Sequence, residues 1–453
     1  MARSFHCRLV ALIALVALLA CGLPVSAQDS SREIAELRAQ LQQLRAEVDA
    51  LKALVAASPG KTASAEEPDP VVEMLQQQVA DHAQVKVESK SKMPVTLFGT
   101  ILSNTAMNTG EANWLENPNI VAVPNGPTGS FVSTLKQTQL GLSVAGPTIG
   151  AFQSSGFVAV DFLGGAPGFQ TGTVMGLPRL LYAFARFEND RTALEVGQDS
   201  AILAPRDPTS LAAPSFPLLF RSGNLYLRAP QIRVEQQLGG GLNVRAGIIT
   251  PLAGDFGPDY VFAPPAGAGE RSRVPAVQAR LGFDRGDIAA GPVVGFADPS
   301  RRARALQLGV SGHYGRERGR GAAEDDPWAA AFDWNLQAGA IGFGGEAFVG
   351  RAIDAFGGAL GQSVRAAGGF AEIRIAPTAR LSVNGGAGID RVDDDDRRRV
   401  ALRGNRSVFG NVIFAITPEV ATGIEYRHLS TEVSATGRDR RNHHVNVTFA
   451  YSF

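Results

Sequence analysis

The end of the chain restricts what it can fold into more than any other stretch. From His443 onward, Val445, Val447, Phe449, Tyr451 and Phe453 alternate with His444, Asn446, Thr448, Ala450 and Ser452. Period-two alternation is the signature of a β-strand with one apolar and one polar face. The pattern recurs upstream. Gln231, Arg233, Glu235 and Gln237 alternate with Ile232, Val234 and Leu238, and Asn243 and Arg245 with Leu242, Val244, Ala246 and Ile248. Trp328, Phe332, Trp334 and Leu336 oppose Asp333, Asn335 and Gln337, while Leu381, Val383, Ala387 and Ile389 oppose Arg380, Ser382, Asn384 and Asp390.

In a soluble sandwich the apolar face would be the core. Here the polar face is as large and is rich in Arg, Glu, Asn and Gln, as a water-filled lumen inside a closed antiparallel transmembrane barrel requires. Composition agrees: 45% of the residues are apolar, yet mean hydropathy is only +0.01, because apolar and polar residues alternate instead of clustering. The 51 glycines among 453 residues suit crowded, curved sheet. A formal charge of zero offers nothing to nucleic acid. From Pro94 onward 32 arginines and one lysine, Lys136, stand against 32 acids. Arginine keeps its charge and grips carboxylates in a bidentate fork.

The other end of the chain points to export. Met1–Ala27 has Arg3 and Arg8, an apolar run from Leu9 to Leu19, and Val25-Ser26-Ala27 before Gln28, the layout of a secretory signal peptide. Leu18-Leu19-Ala20-Cys21 is a rival, lipoprotein-like site with a bulky Leu19 where a small residue is usual. Both cysteines, Cys7 and Cys21, lie in this segment, so a mature chain without disulfides is expected. No later stretch reaches the roughly 18 uncharged apolar residues of a spanning helix. An exported chain without one is a soluble periplasmic or secreted protein or a barrel.

Next comes a different kind of segment. Ile34, Leu37, Leu41, Leu44, Val48, Leu51 and Val55 form an unbroken a/d heptad seam. Glu33, Gln40 and Glu47 fall at g, each five residues before Arg38, Arg45 or Lys52 at e, the pairing that bridges parallel neighbours. Ser30 with Glu33 can form a capping box. A helix this short is marginal alone, so a parallel bundle of identical chains is expected, dimer or trimer; the alternative is a lone amphipathic helix lying on another surface. Ser58–Pro70 reads as a linker, and Val71–His82 has the pattern of a short helix. The expected domains are a signal peptide over 1–27, a periplasmic coiled coil over 28–57, a linker over 58–93 and a barrel over 94–453.

Seventeen candidate strands can be counted, an odd number that does not fit a barrel with both ends on one side. The ambiguity is placed at Asp287–Tyr314, where Ile288–Ala297 and Ala305–Tyr314 read as one interrupted strand or two. About 360 residues at roughly 22 per strand and connection favours sixteen strands, with eighteen as the alternative. Short turns, among them Gly146-Pro147-Thr148, Gly239-Gly240-Gly241 and Thr417-Pro418-Glu419, alternate with long connections such as Thr109–Gly129, Gln198–Gly223, Thr250–Arg273, Gly315–Pro327 and Val392–Arg399. Gly342-x-Gly344-Gly345 is read as a turn, not a nucleotide site, since no helix pattern follows it.

The closing strand, ending on Phe453, resembles the last strand of bacterial outer-membrane barrels, in which Phe449, Tyr451 and Phe453 would form the assembly signal. A narrower resemblance is carried by Lys136-Gln137-Thr138-Gln139-Leu140-Gly141, by Gly156–Phe162, by Gly197-Gln198-Asp199 leading into Ala204-Pro205-Arg206-Asp207-Pro208-Thr209-Ser210, and by Gly223–Arg228. These segments resemble the DcaP-like outer-membrane porins, whose members also carry an N-terminal coiled coil. The resemblance implies a homotrimer in the outer membrane, in contact with its lipids, lipopolysaccharide and the barrel assembly machinery, with an inward loop narrowing each pore.

Gln198–Gly223, stiffened by Pro205, Pro208, Pro214 and Pro217, is the expected constriction loop. Its Asp199, Arg206, Asp207 and Arg221 would face the wall charges Arg233, Glu235, Arg245, Arg280, Glu372 and Arg374, or those charges would pair among themselves. Opposed charges across a constriction orient polar solutes, and arginines favour anions; with total charge balanced, only a weak anion preference is expected. Asp393–Asp396 followed by Arg397–Arg399 is a solvated loop tip pairing with itself, or a site for divalent cations or lipid phosphates. No Ser/His/Asp signature or metal-ligand set is recognisable, so no enzyme activity, cofactor or metal is expected. The expectation is a porin passing small hydrophilic solutes; the alternative is a non-conducting barrel acting as an envelope tether or adhesin through its coiled coil.

Overall fold

A computed structural model describes residues 93–121, 128–165, 176–252, 266–287, 304–318, 326–434 and 439–453. The expected signal peptide, the heptad seam from Ile34 to Val55 and the linker lie outside the described residues. The first half of the wall comprises β1 (Val95–Asn108), β2 (Ser130–Thr134), β3 (Gln139–Ile149), β4 (Phe152–Asp161), β5 (Arg179–Glu188), β6 (Thr192–Ser200), β7 (Arg228–Gly239) and β8 (Leu242–Ile249). The second half comprises β9 (Ala276–Asp287), β10 (Arg304–Tyr314), β11 (Trp328–Ala338), β12 (Ile341–Arg351), β13 (Arg365–Thr378), β14 (Leu381–Val392), β15 (Leu402–Ala415), β16 (Val420–Val433) and β17 (Asp439–Ser452).

All strand pairings are antiparallel, most between chain neighbours, and β17 closes the sheet on β1 from Thr100↔Ser452 to Asn108↔His444. β2 and β3 both pair with β1, the first along Asn104–Asn108 and the second along Val95–Thr100. They are two halves of one wall position, so the seventeen segments make a sixteen-strand barrel. The expected break around Asp287–Tyr314 is placed differently: β9 pairs directly with β10, from Arg304↔Asp287 to Tyr314↔Val277. Ile288–Ala297 lies outside the described residues and no strand intervenes between that pair. The interruption that made the count odd is at Leu135–Thr138.

Hairpins of two to four residues gather at one end, where the stretch 288–303 also joins β9 to β10, and connections from five residues (434–438) to twenty-seven (201–227) lie at the other. At the hairpin between β7 and β8, Gly239, Gly240 and Gly241 all have positive φ, 93°, 62° and 89°, which side chains resist. Two expected turns are strand interior. Gly146-Pro147 sits in β3 where the register to β4 shifts between Ala145 and Thr148, a bulge that accommodates a residue with no N–H. Gly342, Gly344 and Gly345 sit in β12, and a Cβ at Gly345 would stand 2.2 Å from the Phe370 carbonyl oxygen. Here glycine serves close approach and not chain reversal.

The faces sort as the alternation requires. Val445, Val447, Phe449 and Tyr451 of β17 point outward, while Asn442, His444, Asn446 and Thr448 are buried inward. Ile232, Val234, Ile248, Val310, Val408 and Ile424 add to an exposed apolar outer surface. Inward, Phe98, Phe157 and Phe184 stack in steps of 5.3 Å along the wall. Gly141 keeps that ladder possible, since a Cβ there would come within 2.6 Å of the Phe98 ring.

Candidate pore constriction

The sequence following β6 does not run over the surface. Ala201–Leu227 leaves the wall, crosses the lumen and returns at Arg228, with Ala201 N–H donating to Leu227 O at 2.9 Å. Burial drives the inward path. Leu211 packs with Leu102, Ala421 and Ala450, and Leu218 and Leu219 pack with Phe370 and Phe409 of the wall. Each leucine so buried contributes roughly 1.5–3 kcal/mol. A second inward segment, Ile353–Leu360 between β12 and β13, joins Leu203, Leu225 and Leu227 in the largest apolar cluster. A third, Glu111–Val121, sets Trp114 edge-on to Phe216 at 5.2 Å. Neither of these two was anticipated as folding inward.

A buried backbone crossing a polar lumen needs hydrogen-bond partners, and wall acids supply many. Glu346 accepts from Leu225 N at 3.0 Å, from Asn224 Nδ2 at 3.0 Å and from Arg206 N at 3.3 Å. Glu372 accepts from Thr209 N at 2.8 Å, and Glu425 from the Ser210 hydroxyl at 2.6 Å. On another side the Ser215 carbonyl accepts from Tyr226 Oη at 3.1 Å, Arg228 Nη1 at 3.1 Å and Arg179 Nη2 at 3.2 Å. The Arg228 guanidinium lies 4.5 Å from the Tyr182 ring centre and 4.9 Å from that of Tyr226, a cation–π sandwich. Burial pushes the Tyr226 phenol up to about 12, so it remains a neutral donor.

The expected loop bounds shift. Gln198 and Asp199 belong to β6, paired with Pro230 and Ala229, because their period-two pattern continues the strand before the prolines begin. Asp199 is therefore wall, not loop, and sits 2.6 Å from Arg233. Arg206 is on the loop, with Nε 3.2 Å from Asp333 and Nη1 3.0 Å from Gln307. Asp207 is exposed there, and Arg221, with φ 62°, lies over the Phe220 ring at 5.4 Å.

Wall charges pair with one another. Arg233 meets Glu195 at 2.9 Å and Glu235 at 3.3 Å, and Glu235 also holds Arg186 at 3.1 Å and Arg245 at 3.4 Å. Arg280 forks onto Asp333 at 2.8 and 2.7 Å, and Arg374 meets Glu372 at 2.9 Å and also Asn335. The acids of Asp393–Asp396 pair with Arg365, Arg397 and Arg399, the loop-tip behaviour.

One asymmetry runs through the inward pairs. Side-chain exposures are 24% against 0% for Arg179 and Asp161, 23% against 0% for Arg206 and Asp333, and 25% against 1% for Arg374 and Glu372. Arg245 and Glu235, and Lys136 and Glu116, follow the same order, whereas Glu188 and Glu235 reverse it against Arg186, and Glu235 reverses it against Arg233. At Lys136, Arg179, Arg206, Arg245 and Arg374 the cation is thus the more exposed partner and the carboxylate lies behind it. Glu346, Asp333 and Glu425 were not picked out as site residues; their one sequence signal was an acid at an inward strand position.

No protein-family model matches the sequence, and no curated protein matches it. Among solved structures it is similar to the outer membrane channel DcaP of Acinetobacter baumannii, with a TM-score of 0.62 and 17% identity over 81% of this chain and 99% of that one. It is also similar to OprB of Pseudomonas putida (TM-score 0.52, 10% identity, 83% and 97% covered) and to an anion-selective porin from Comamonas acidovorans (0.51, 11%, 80% and 100%). The chain has the barrel fold of the DcaP channel and of these porins.

Proposed function

We propose that the protein is an outer-membrane porin, a water-filled channel for passive diffusion of small hydrophilic solutes. It acts as a homotrimer of DcaP-like type, with its coiled coil in the periplasm. The observation that supports it is a closed sixteen-strand barrel, apolar outside and charged inside, narrowed by a loop that the wall itself ties down. A weak anion preference follows from Arg206, Arg245 and Arg374 standing nearer the lumen than their carboxylates. The nearer charge dominates the local potential where water is scarce.

Single-channel recording in a planar bilayer tests this. Conductance with a modest anionic reversal potential is expected. The triple variant Arg206→Gln, Arg245→Gln, Arg374→Gln should move that potential toward cation preference. The shift should shrink between about 0.1 and 1 M salt, as the screening length falls from about 10 to 3 Å. Lysine at the same positions should preserve selectivity. The apolar clusters under the inward segments favour a second reading, a plugged barrel serving as an envelope tether or adhesin. Absence of conductance from correctly folded protein would select it.

A further inference from the structure

Arg280 and Arg374 each take a partner from a strand that is not next to their own. Arg280 on β9 forks onto Asp333 on β11, so its side chain crosses β10. Arg374 on β13 donates to Asn335, also on β11, and so crosses β12. Two strand spacings come to about 9.6 Å, close to the full reach of an arginine side chain. Such a path lies flat along the wall, and it is open only where the strand beneath carries no side chain.

Register puts a glycine under each path. Gly309 of β10 is paired with Gly282 on one side and with Asp333 on the other. Gly342 of β12 is paired with Arg374 itself, and Gly344 with Asn335. A Cβ on Gly309 would stand 2.2 Å from Arg280 Nη2, 2.3 Å from its Cζ and 2.4 Å from its Nε. A Cβ on Gly342 would stand 2.8 Å from Arg374 Nε and 2.9 Å from its Nη2. Glycine inside a strand weakens it, and neither Gly309 nor Gly342 has the positive φ that would require glycine. The guanidinium lying above accounts for both.

We infer that Gly309 and Gly342 are positioning residues of the constriction. Each seats a guanidinium against the wall, and so sets both the bore and how far that charge stands into the lumen. The seat under Arg280 gives the larger contrast. Arg280 is 4% exposed there, while Arg206, which meets the same Asp333 carboxylate from the loop at 3.2 Å, is 23% exposed. A methyl group at position 309 displaces the guanidinium, the mobile end of its side chain, before it displaces backbone. The charge then enters the lumen, and Asp333 stays behind with Arg206. A lumen cation no longer paired in the wall raises anion preference, and its side chain takes up bore.

The inference deepens the porin reading and rests on it only for an electrical readout, so a chemical readout accompanies it. Folded full-length protein is treated with phenylglyoxal, which modifies accessible guanidinium groups, and adducts on Arg280 are measured by peptide mass spectrometry. Gly309→Ala should raise labelling of Arg280 severalfold. Gly312→Ala adds the same methyl group to the outward side of β10, where the nearest atom is 3.6 Å away, and should leave labelling unchanged. In planar bilayers Gly309→Ala should lower conductance and move the reversal potential toward anion preference. Both changes should vanish in the Arg280→Gln background. Unchanged labelling of folded Gly309→Ala protein overturns the inference, and so do electrical changes that persist without Arg280. If Gly309→Ala does not fold, adding Arg280→Gln should restore folding, because the three atoms nearest the new Cβ all belong to Arg280; no restoration overturns the inference too. A silent barrel with raised labelling loses the channel reading alone, and a conducting barrel with unchanged labelling loses this inference alone.

Discussion

Glu346 concentrates what single residues do in this lumen. Its carboxylate is fully buried and accepts from two backbone N–H groups and one amide of the inward loop. Removing it leaves those donors orphaned, and each unsatisfied buried group costs about 1–3 kcal/mol. Glu346→Ala should therefore destabilise the barrel by on the order of 3 kcal/mol and loosen the loop, read as earlier heat-induced unfolding on semi-native gels and noisier single-channel current. Glu346→Gln keeps one acceptor oxygen and should fall between. If the alanine variant matches the unaltered protein in both measurements, the loop is held by its apolar contacts, and Leu218 and Leu219 become the residues to change. Glu346, Glu372 and Glu425 tie the loop, and in the proposed channel the more exposed arginines are the groups that meet the solute.

At the scale of elements, the closing strand is the most exposed to test. Phe453 exchanges both backbone hydrogen bonds with Gly99 at 3.0 Å, and a Cβ on Gly99 would come within 2.6 Å of its ring. Deleting Phe453 removes those two closing bonds and the terminal aromatic of the proposed assembly signal. The level of folded protein in the membrane should drop severalfold, while the conductance of surviving molecules stays unchanged. Normal assembly of the deletion would reduce Phe449, Tyr451 and Phe453 to ordinary lipid-facing residues. Strands such as β7, β11 and β17 were legible because alternation is a local property that the barrel keeps. Segments that defy the local signal were not legible. Gly146-Pro147 reads as a turn but is a bulge, and Gly342–Gly345 reads as a turn but is strand interior packed against Trp334 and Phe370. Ile353–Leu360 goes inward because of contacts with Leu203 and Leu225, far away in sequence. Pairing partners among the charges were equally hidden: Arg206 finds Asp333 across more than a hundred residues of chain, and no spacing rule encodes that.

For the whole molecule, assembly turns on the outer wall and on the heptad seam. An exposed apolar wall suits lipid and neighbouring barrels alike. The heptad seam does argue for association, since Leu37, Leu44 and Leu51 lie on one stripe with oppositely charged g and e residues beside it. A helix of the length the seam predicts would gain little alone, but in the proposed trimer three copies tethered to adjacent barrels would be held at high effective concentration, and pairing would then cost little further entropy. Replacing Leu37, Leu44 and Leu51 with serine should lower the temperature at which the oligomer dissociates on semi-native gels, with the temperature of barrel unfolding unchanged. A chain starting at Pro70 should behave like the serine variant. If both migrate and melt like the full protein, barrel contacts alone hold the oligomer, and the heptad segment must be assigned another partner.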